Sequence, residues 1–453
     1  MNTVSRRHFI KSSAAFASGI AGLHRFAAAA VRLDGYGPLV PDPAGVFDLP
    51  EGFSYRIISR AGETMSDGFI LPAVPDGMAT FPYRGSQMIL LRNHEVNVGA
   101  PGASGPFGAG NELLSLAEHV YDKGQALGPC LGGTTTLVYD TKEQRVVSQH
   151  LSLTGTLRNC AGGSTPWGTW LTCEESTVRT GTFAVRDHGY VFEVPASPEM
   201  KLAEPVPLRA MGRFNHEAVA VDPHSGIVYE TEDQGDSLLY RFIPDEQGRL
   251  AEGGRLQALA VAGRPVLDTR NWDEVRVHEG EAFDVRWIDL DDVDTAEDDL
   301  RFRGFLRGAA RFARGEGMWY GNGAVYFACT NGGPARAGQI WRYVPSPDEG
   351  KKEEGENPGR LELFIEPNDI ALLQNCDNVT VAPWGDLIMC EDGPGEQFLV
   401  GVTTGGLLYK LGRNAISGSE LTGATFSPDG TTLFTNIQGN GLTLAITGPW
   451  DRR

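Results

Sequence analysis

The residues able to do chemistry in this 453-residue chain come in short acidic clusters: Asn93-His94-Glu95, Glu174-Glu175, Asn215-His216-Glu217, Glu232-Asp233 with Asp236, Glu316, Asp377-Asn378 and Glu391-Asp392. A single cluster of this kind caps a turn or meets solvent. Several brought to one place would raise one another's pKa values, because like charges disfavour ionisation, unless cations kept them charged. The pattern therefore points to bound metal. All-oxygen sets such as Asp233, Asp236, Asp377 and Asn378 suit calcium, whereas a thiolate among carboxylates suits a transition metal. Of the six cysteines, Cys160 is the candidate thiolate, standing in a polar, glycine-rich loop beside Asn159. Cys329 and Cys390 lie in apolar runs, where a buried free thiol is the expectation. Arg314 precedes Glu316 by two residues, so an extended backbone would send both side chains to one side. A guanidinium beside a metal-bound carboxylate suits an anionic substrate, since its fork matches phosphate oxygens. The chain has no Gly-x-Ser-x-Gly elbow, no phosphate loop of the GKS/T type and no His-Glu-x-x-His pair.

Strands are the elements expected to position these groups. The 58 glycines and the recurring short runs of Val, Tyr, Phe, Leu and Thr between turn residues read as all-β. A loose unit repeats at Ala218–Glu230, Asn378–Cys390 and Gly423–Thr435: an apolar strand, a Pro/Asp/Gly turn, a second strand, then a polar end. Units spaced by roughly 40 to 50 residues are blades of a β-propeller, each a small sheet that needs its neighbours. Their ragged spacing implies inserted loops, and residues 268–299 and 351–358 read as such excursions. The expectation is a single propeller domain over residues 30–453, six blades preferred over seven, with the acidic clusters meeting at one mouth where strand ends converge. A closed propeller has no free edge, so a monomer is expected.

Residues 1–29 carry Ser5-Arg6-Arg7-His8-Phe9-Ile10-Lys11, an apolar run and a stretch of small residues, the pattern of a twin-arginine signal peptide. The apolar run is too short to span a bilayer. This route exports folded proteins, which fits a metal centre loaded inside the cell and delivered by the twin-arginine export machinery to the periplasm or beyond. The net charge is −19, from 39 basic and 58 acidic residues. Removing the leader takes Arg6, Arg7, Lys11 and Arg25, and 35 basic against 58 acidic residues gives −23. Such a surface repels nucleic acid and anionic membranes.

The run Arg158-Asn-Cys-Ala-Gly-Gly-Ser-Thr-Pro-Trp-Gly-Thr-Trp-Leu-Thr-Cys-Glu-Glu175 resembles the signature of PhoX-type alkaline phosphatases. The resemblance continues through Gly212-Arg-Phe-Asn-His-Glu-Ala218, Arg314-Gly-Glu316, Asp377-Asn378-Val379 and Phe426-Ser-Pro-Asp-Gly430. It implies a propeller enclosing an oxo-bridged pair of ferric ions with calcium beside it, hydrolysing phosphate monoesters. It makes Cys160, one of Glu174 and Glu175 (Glu175 preferred), Glu217 and Glu316 the iron ligands and Arg314 the phosphate binder. Calcium would draw on Asp236 with Asp233, Asp377, Asn378, Glu391 or Asp392. The alternatives are a calcium-dependent propeller lactonase, phosphodiesterase or phytase-like hydrolase, or a noncatalytic binding propeller. Iron bound through Cys160 separates the first reading from these.

Overall fold

The computed structural model describes residues 35–181 and 183–451; the signal-peptide reading falls on residues outside this set. The chain opens with β1 (Leu39–Val40), β2 (Phe47–Pro50) and β3 (Ser54–Arg60). A first meander follows as β4 (Pro75–Arg84), β5 (Gln87–His94), β6 (Gly132–Asp140) and β7 (Arg145–Thr156). The next holds β8 (Asn159–Ser164), β9 (Thr169–Glu174) and β10 (Val191–Pro195). Then come β11 (His216–Val221), β12 (Val228–Glu232), β13 (Leu239–Pro244), β14 (Gly254–Val261) and β15 (Ala282–Asp289). After a short helix, Leu300–Leu306, run β16 (Gly315–Gly321), β17 (Ala324–Cys329), β18 (Gln339–Val344) and β19 (Arg360–Ile365). The chain ends with β20 (Cys376–Val381), β21 (Leu387–Glu391), β22 (Phe398–Val402), β23 (Leu408–Asn414), and finally β24 (Leu421–Phe426), β25 (Thr432–Ile437) and β26 (Leu442–Thr447).

These strands form five antiparallel sheets among the described residues, and the architecture is an all-β propeller-like fold. The largest sheet has nine strands, because β15 pairs with both β14 and β19 and so ties two meanders together. The segment 268–299, expected as an excursion, thus contributes a strand to the framework. The first strands lie side by side in a closed ring: β4 against β8, β8 against β11, β11 against β16, β16 against β20, β20 against β24, and β24 against β4.

Local sequence explains the meanders. Turns joining first to second strands carry glycine at positive φ where the chain must reverse: Gly168 after Pro166-Trp167, Gly385 after Pro383-Trp384, and Gly430 after Pro428-Asp429. The repeats read at Asn378–Cys390 and Gly423–Thr435 are the last two of these hairpins, and that at Ala218–Glu230 is the β11–β12 hairpin, with Gly226 at positive φ. The two chain ends are stitched together, since β3 completes the last sheet by pairing with β26, and β2 extends the preceding one by pairing with β23. Apolar side chains fill the spaces between neighbouring sheets, with Trp170 and Trp341 fully buried among them.

Candidate metal centre

Every inner strand begins with a bulge. Register breaks fall between Pro75 and Met78 in β4, Asn159 and Gly162 in β8, His216 and Val219 in β11, Gly315 and Met318 in β16, Cys376 and Val379 in β20, and Thr422 and Thr425 in β24. A bulge sets two residues against one and re-aims a side chain. The first bulged residues are Asp76, Cys160, Glu217, Glu316, Asp377 and Gly423, so five of the six strands place a metal-binding group at the same position. The second bulged residues are Gly77, Ala161, Ala218, Gly317, Asn378 and Ala424. Neighbouring bulges touch there: a Cβ on Gly77 would lie 2.7 Å from Ala161 Cα, and one on Gly317 would lie 2.5 Å from Asn378 Cα.

The second strands supply the rest. Glu95, Glu175, Asp233 and Asp392 directly follow the last residues of β5, β9, β12 and β21, and Glu420 directly precedes β24. Donor atoms of four groups approach within 4.8 Å of one another: Asp76/Glu95/Cys160, Cys160/Glu175/Glu217, Glu217/Glu316/Asp377 and Asp377/Asp392/Glu420. Shared members link the four into one continuous cluster. Cys160 lies in a strand rather than in the loop expected from its sequence. Asn93 holds its bulge, donating to the carbonyls of Cys160 at 3.1 Å and Ala161 at 2.7 Å.

Alternation along the strand sorts the predicted residues. Glu175 and Asp392 join the cluster, while Glu174 and Glu391, one residue earlier, face away and are already matched. Glu174 accepts from the amides of Leu157, Gly189 and Tyr190 and pairs with His188 at 2.6 Å. Glu391 accepts from Lys410 Nζ at 2.8 Å and from the amides of Gln374 and Phe398. Asp236 pairs with Arg301 at 3.1 Å and is outside the cluster. Asn378 spends its carbonyl oxygen on the Gly423 amide and its NH2 group on Asp377. Asp233 sits at the rim, clamped by Arg314 Nε and Nη2 at 2.6 and 2.7 Å.

Arg314 also reaches Glu316 at 2.9 Å, so the two residues do meet, but through a left-handed Arg314 backbone (φ 52°) rather than an extended one. Arg158 is its counterpart. It too is left-handed (φ 47°), lies two residues before a bulged donor, and bridges Glu95 at 2.8 Å and Glu175 at 2.6 Å. Two non-glycine residues held at positive φ on the rim are the kind of local strain that functional sites store.

Charge dictates what the cluster can hold. Burial first, and neighbouring carboxylates second, keep Asp76, Glu217, Glu316 and the Cys160 thiol well above their ordinary pKa ranges. Burial likewise pushes Glu175 up to about 9, Asp377 up to about 8 and Glu420 up to about 10. Both carboxylate oxygens of Glu217, and Oδ1 of Asp76, are buried without a hydrogen-bond partner. An orphaned buried carboxylate is costly unless a proton or a cation satisfies it, so the residues fit metal ions.

Asp76, Glu420 and Arg158 were missed as site residues, and Glu95, read within an acidic cluster, was not assigned to a metal. A signal for Asp76 was available: Asp76-Gly77 has the same donor-then-small pattern as Cys160-Ala161, Glu217-Ala218 and Glu316-Gly317.

The sequence profile of the alkaline phosphatase PhoX family matches residues 34–144 and 121–441. No curated protein matches significantly in sequence. Among solved structures, Pseudomonas fluorescens PhoX in complex with vanadate, a transition state analogue, is similar at a TM-score of 0.66 and 18% identity, covering 91% of this chain and 97% of that one. A gluconolactonase from Xanthomonas campestris covers 91% of this chain and 98% of its own at a TM-score of 0.44 and 14% identity.

Proposed function

Because the chain belongs to the alkaline phosphatase PhoX family, and is a phosphatase, we propose that it hydrolyses phosphate monoesters at the mouth cluster with metal ions held by that cluster. The observation that carries the metal dependence is Glu217, shared by two donor groups and left with two buried, partnerless oxygens. Cys160, Glu175, Glu217 and Glu316 would hold a ferric pair, the thiolate favouring a transition metal. Asp377, Asp392 and Glu420, all oxygen donors, would hold calcium. When bound, such metals supply positive charge against the phosphoryl oxygens and lower the pKa of water.

The protein's own part is positioning. Arg314 commits Nε and Nη2 to Asp233 and Glu316, and Nη1 has no hydrogen-bond partner among the described residues. That N–H pair is left to bind an equatorial phosphate oxygen, and Asp233 fixes the plane from which it does so. Cys160 on β8 and Glu316 on β16 flank Glu217 on β11 and would hold the reacting centre between them, while the rim arginines bind the anionic substrate that the acidic surface would otherwise repel.

Counting the nine-stranded sheet as two blades makes the fold a six-bladed propeller, one inner strand per blade. We also infer a single domain over residues 30–453, a monomer delivered by the twin-arginine route to the periplasm or beyond. Among the described residues no helix is long and apolar enough to cross a membrane.

The test is hydrolysis of p-nitrophenyl phosphate and of bis(p-nitrophenyl) phosphate by the purified mature protein, before and after chelation and after return of iron and calcium. Monoester hydrolysis that is lost and then regained is expected. Activity indifferent to chelator, or confined to the diester, contradicts the reading.

A further inference from the structure

Behind the mouth, a second mixed donor set is buried between the loop that joins β5 to β6 and the loop that follows β9. Asp122, Cys130 and His188 bring a carboxylate oxygen, a thiol sulfur and an imidazole nitrogen within 4.8 Å of one another, and all three residues are buried. His188 is held asymmetrically. Its Nδ1 meets Glu174 Oε1 at 2.6 Å, a tight charge-assisted contact, whereas Nε2 lies 3.3 Å from Asp122 Oδ2 and 3.8 Å from Cys130 Sγ. The Tyr121 ring packs edge-on against the imidazole, with centroids 5.3 Å apart, and fixes its plane.

We propose that Cys130, His188 Nε2 and Asp122 form a zinc-type metal site, distinct from the mouth cluster, with Glu174 as the carboxylate that orients His188. Tetrahedral zinc with ordinary bond lengths has N···O and N···S edges of about 3.3 and 3.6 Å, close to the spacings at Nε2. Both spacings are long for hydrogen bonds. Carboxylate–histidine–metal geometry, with one ring nitrogen on the metal and the other donating to a buried carboxylate, is the usual support for a histidine ligand. Glu174 has that role, which explains why it faces away from the mouth although Glu175 faces into it.

Proton and charge balance allow the exchange. Without metal, two charged carboxylates, a protonated His188 and a neutral thiol sum to −1. Binding a divalent ion releases the thiol proton and the Nε2 proton while Nδ1–H stays on Glu174, and the sum is again −1. With Glu174 on Nδ1 and Asp122 and Cys130 facing Nε2, the metal-free site is a closed polar network that metal must displace. The site fastens two loops to the end of β9: Asp122 also accepts from the amides of Gly124, Val185 and Arg186. It would therefore act as a structural anchor directly behind Glu175.

Cobalt(II) titration of the metal-stripped Cys160→Ala protein tests this, because that variant lacks the mouth thiol. The expected result is a near-ultraviolet thiolate-to-metal band, which cobalt on the mouth carboxylates cannot give, saturating at one thiolate-bound cobalt per chain, abolished by adding Cys130→Ser, and with affinity at least 10-fold weaker in Glu174→Gln. A folded Cys160→Ala protein without the band overturns the proposal, as does a band that survives Cys130→Ser. Should Cys130→Ser fail to fold, Glu174→Gln decides: unchanged cobalt affinity overturns the site, and the weakened affinity supports it.

Discussion

Two layers of acidic residues lie one residue apart at the ends of the second strands, and their surroundings are opposite. In the rear layer, Glu174, Glu232 and Glu391 have every carboxylate oxygen met by a donor: amides and His188 for the first, Arg301 and Tyr240 for the second, Lys410 and amides for the third. In the front layer, Glu175 and Asp392 join bulged donors such as Glu217, whose buried oxygens have no partner. Strand alternation alone separates the layers. The rear carboxylates lock loops to strands. In front, Glu175 accepts from Arg158 and Asn215, but the oxygens of Glu217 and Oδ1 of Asp76 are left unsatisfied by protein, which is tolerable only where another cation or a proton completes them.

Substitutions should break this contrast in opposite directions. The largest effect is expected from Glu217→Gln: removal of a shared metal-binding oxygen should cost several kcal/mol of transition-state stabilisation, a fall on the order of 10³-fold in kcat/KM. The same change should raise the melting temperature of chelated protein, because it deletes an unpaired buried acid. Activity assays and calorimetry on one preparation check both halves. Glu391→Ala should do the reverse, removing the buried carboxylate that Lys410 and the amides of Gln374 and Phe398 meet, at a cost of about 3 kcal/mol in denaturant unfolding while metal content stays unchanged.

Arg314→Lys keeps the charge but loses the fork that Asp233 and Glu316 orient, and should lower kcat/KM by about 10- to 100-fold. The smallest effect is a pH slope in chelated protein. Glu175, Asp377 and Glu420 are raised to about 9, 8 and 10, so between roughly pH 4.5 and those values the folded state binds more protons than the unfolded chain. Stability should therefore fall as pH rises, by about 1.4 kcal/mol per pH unit for each group in its window. Metal-loaded protein should show little of this slope, since the cations hold the carboxylates ionised in the folded state. Denaturant melts at several pH values, with and without chelator, measure the difference.

Much of the framework was legible in the sequence. The Pro166-Trp-Gly168, Pro383-Trp-Gly385 and Pro428-Asp-Gly430 turns marked hairpins that the fold contains, because glycine at positive φ and proline at a chain reversal are local requirements. The structure brings Cys160, Glu175, Glu217, Glu316, Asp377 and Asp392, all of them named from the sequence, into one cluster. The choices between Glu174 and Glu175 and between Glu391 and Asp392 were open in the sequence, because a Glu-Glu or Glu-Asp pair at a strand end does not reveal its phase until the bulge is known. Asp236 was misplaced because its partner, Arg301, comes from a helix 65 residues away in sequence. Asp76 and Glu420 are adjacent only through ring closure, where the first inner strand meets the last, a contact that no local pattern encodes.

Metal analysis of wild type and Cys160→Ala, purified side by side, tests the central claim most directly. The account predicts iron and calcium in the wild type, with iron and phosphatase activity lost in Cys160→Ala and calcium retained. A Cys160→Ala protein with undiminished iron and activity, or a fully active wild type that carries neither metal, would contradict it.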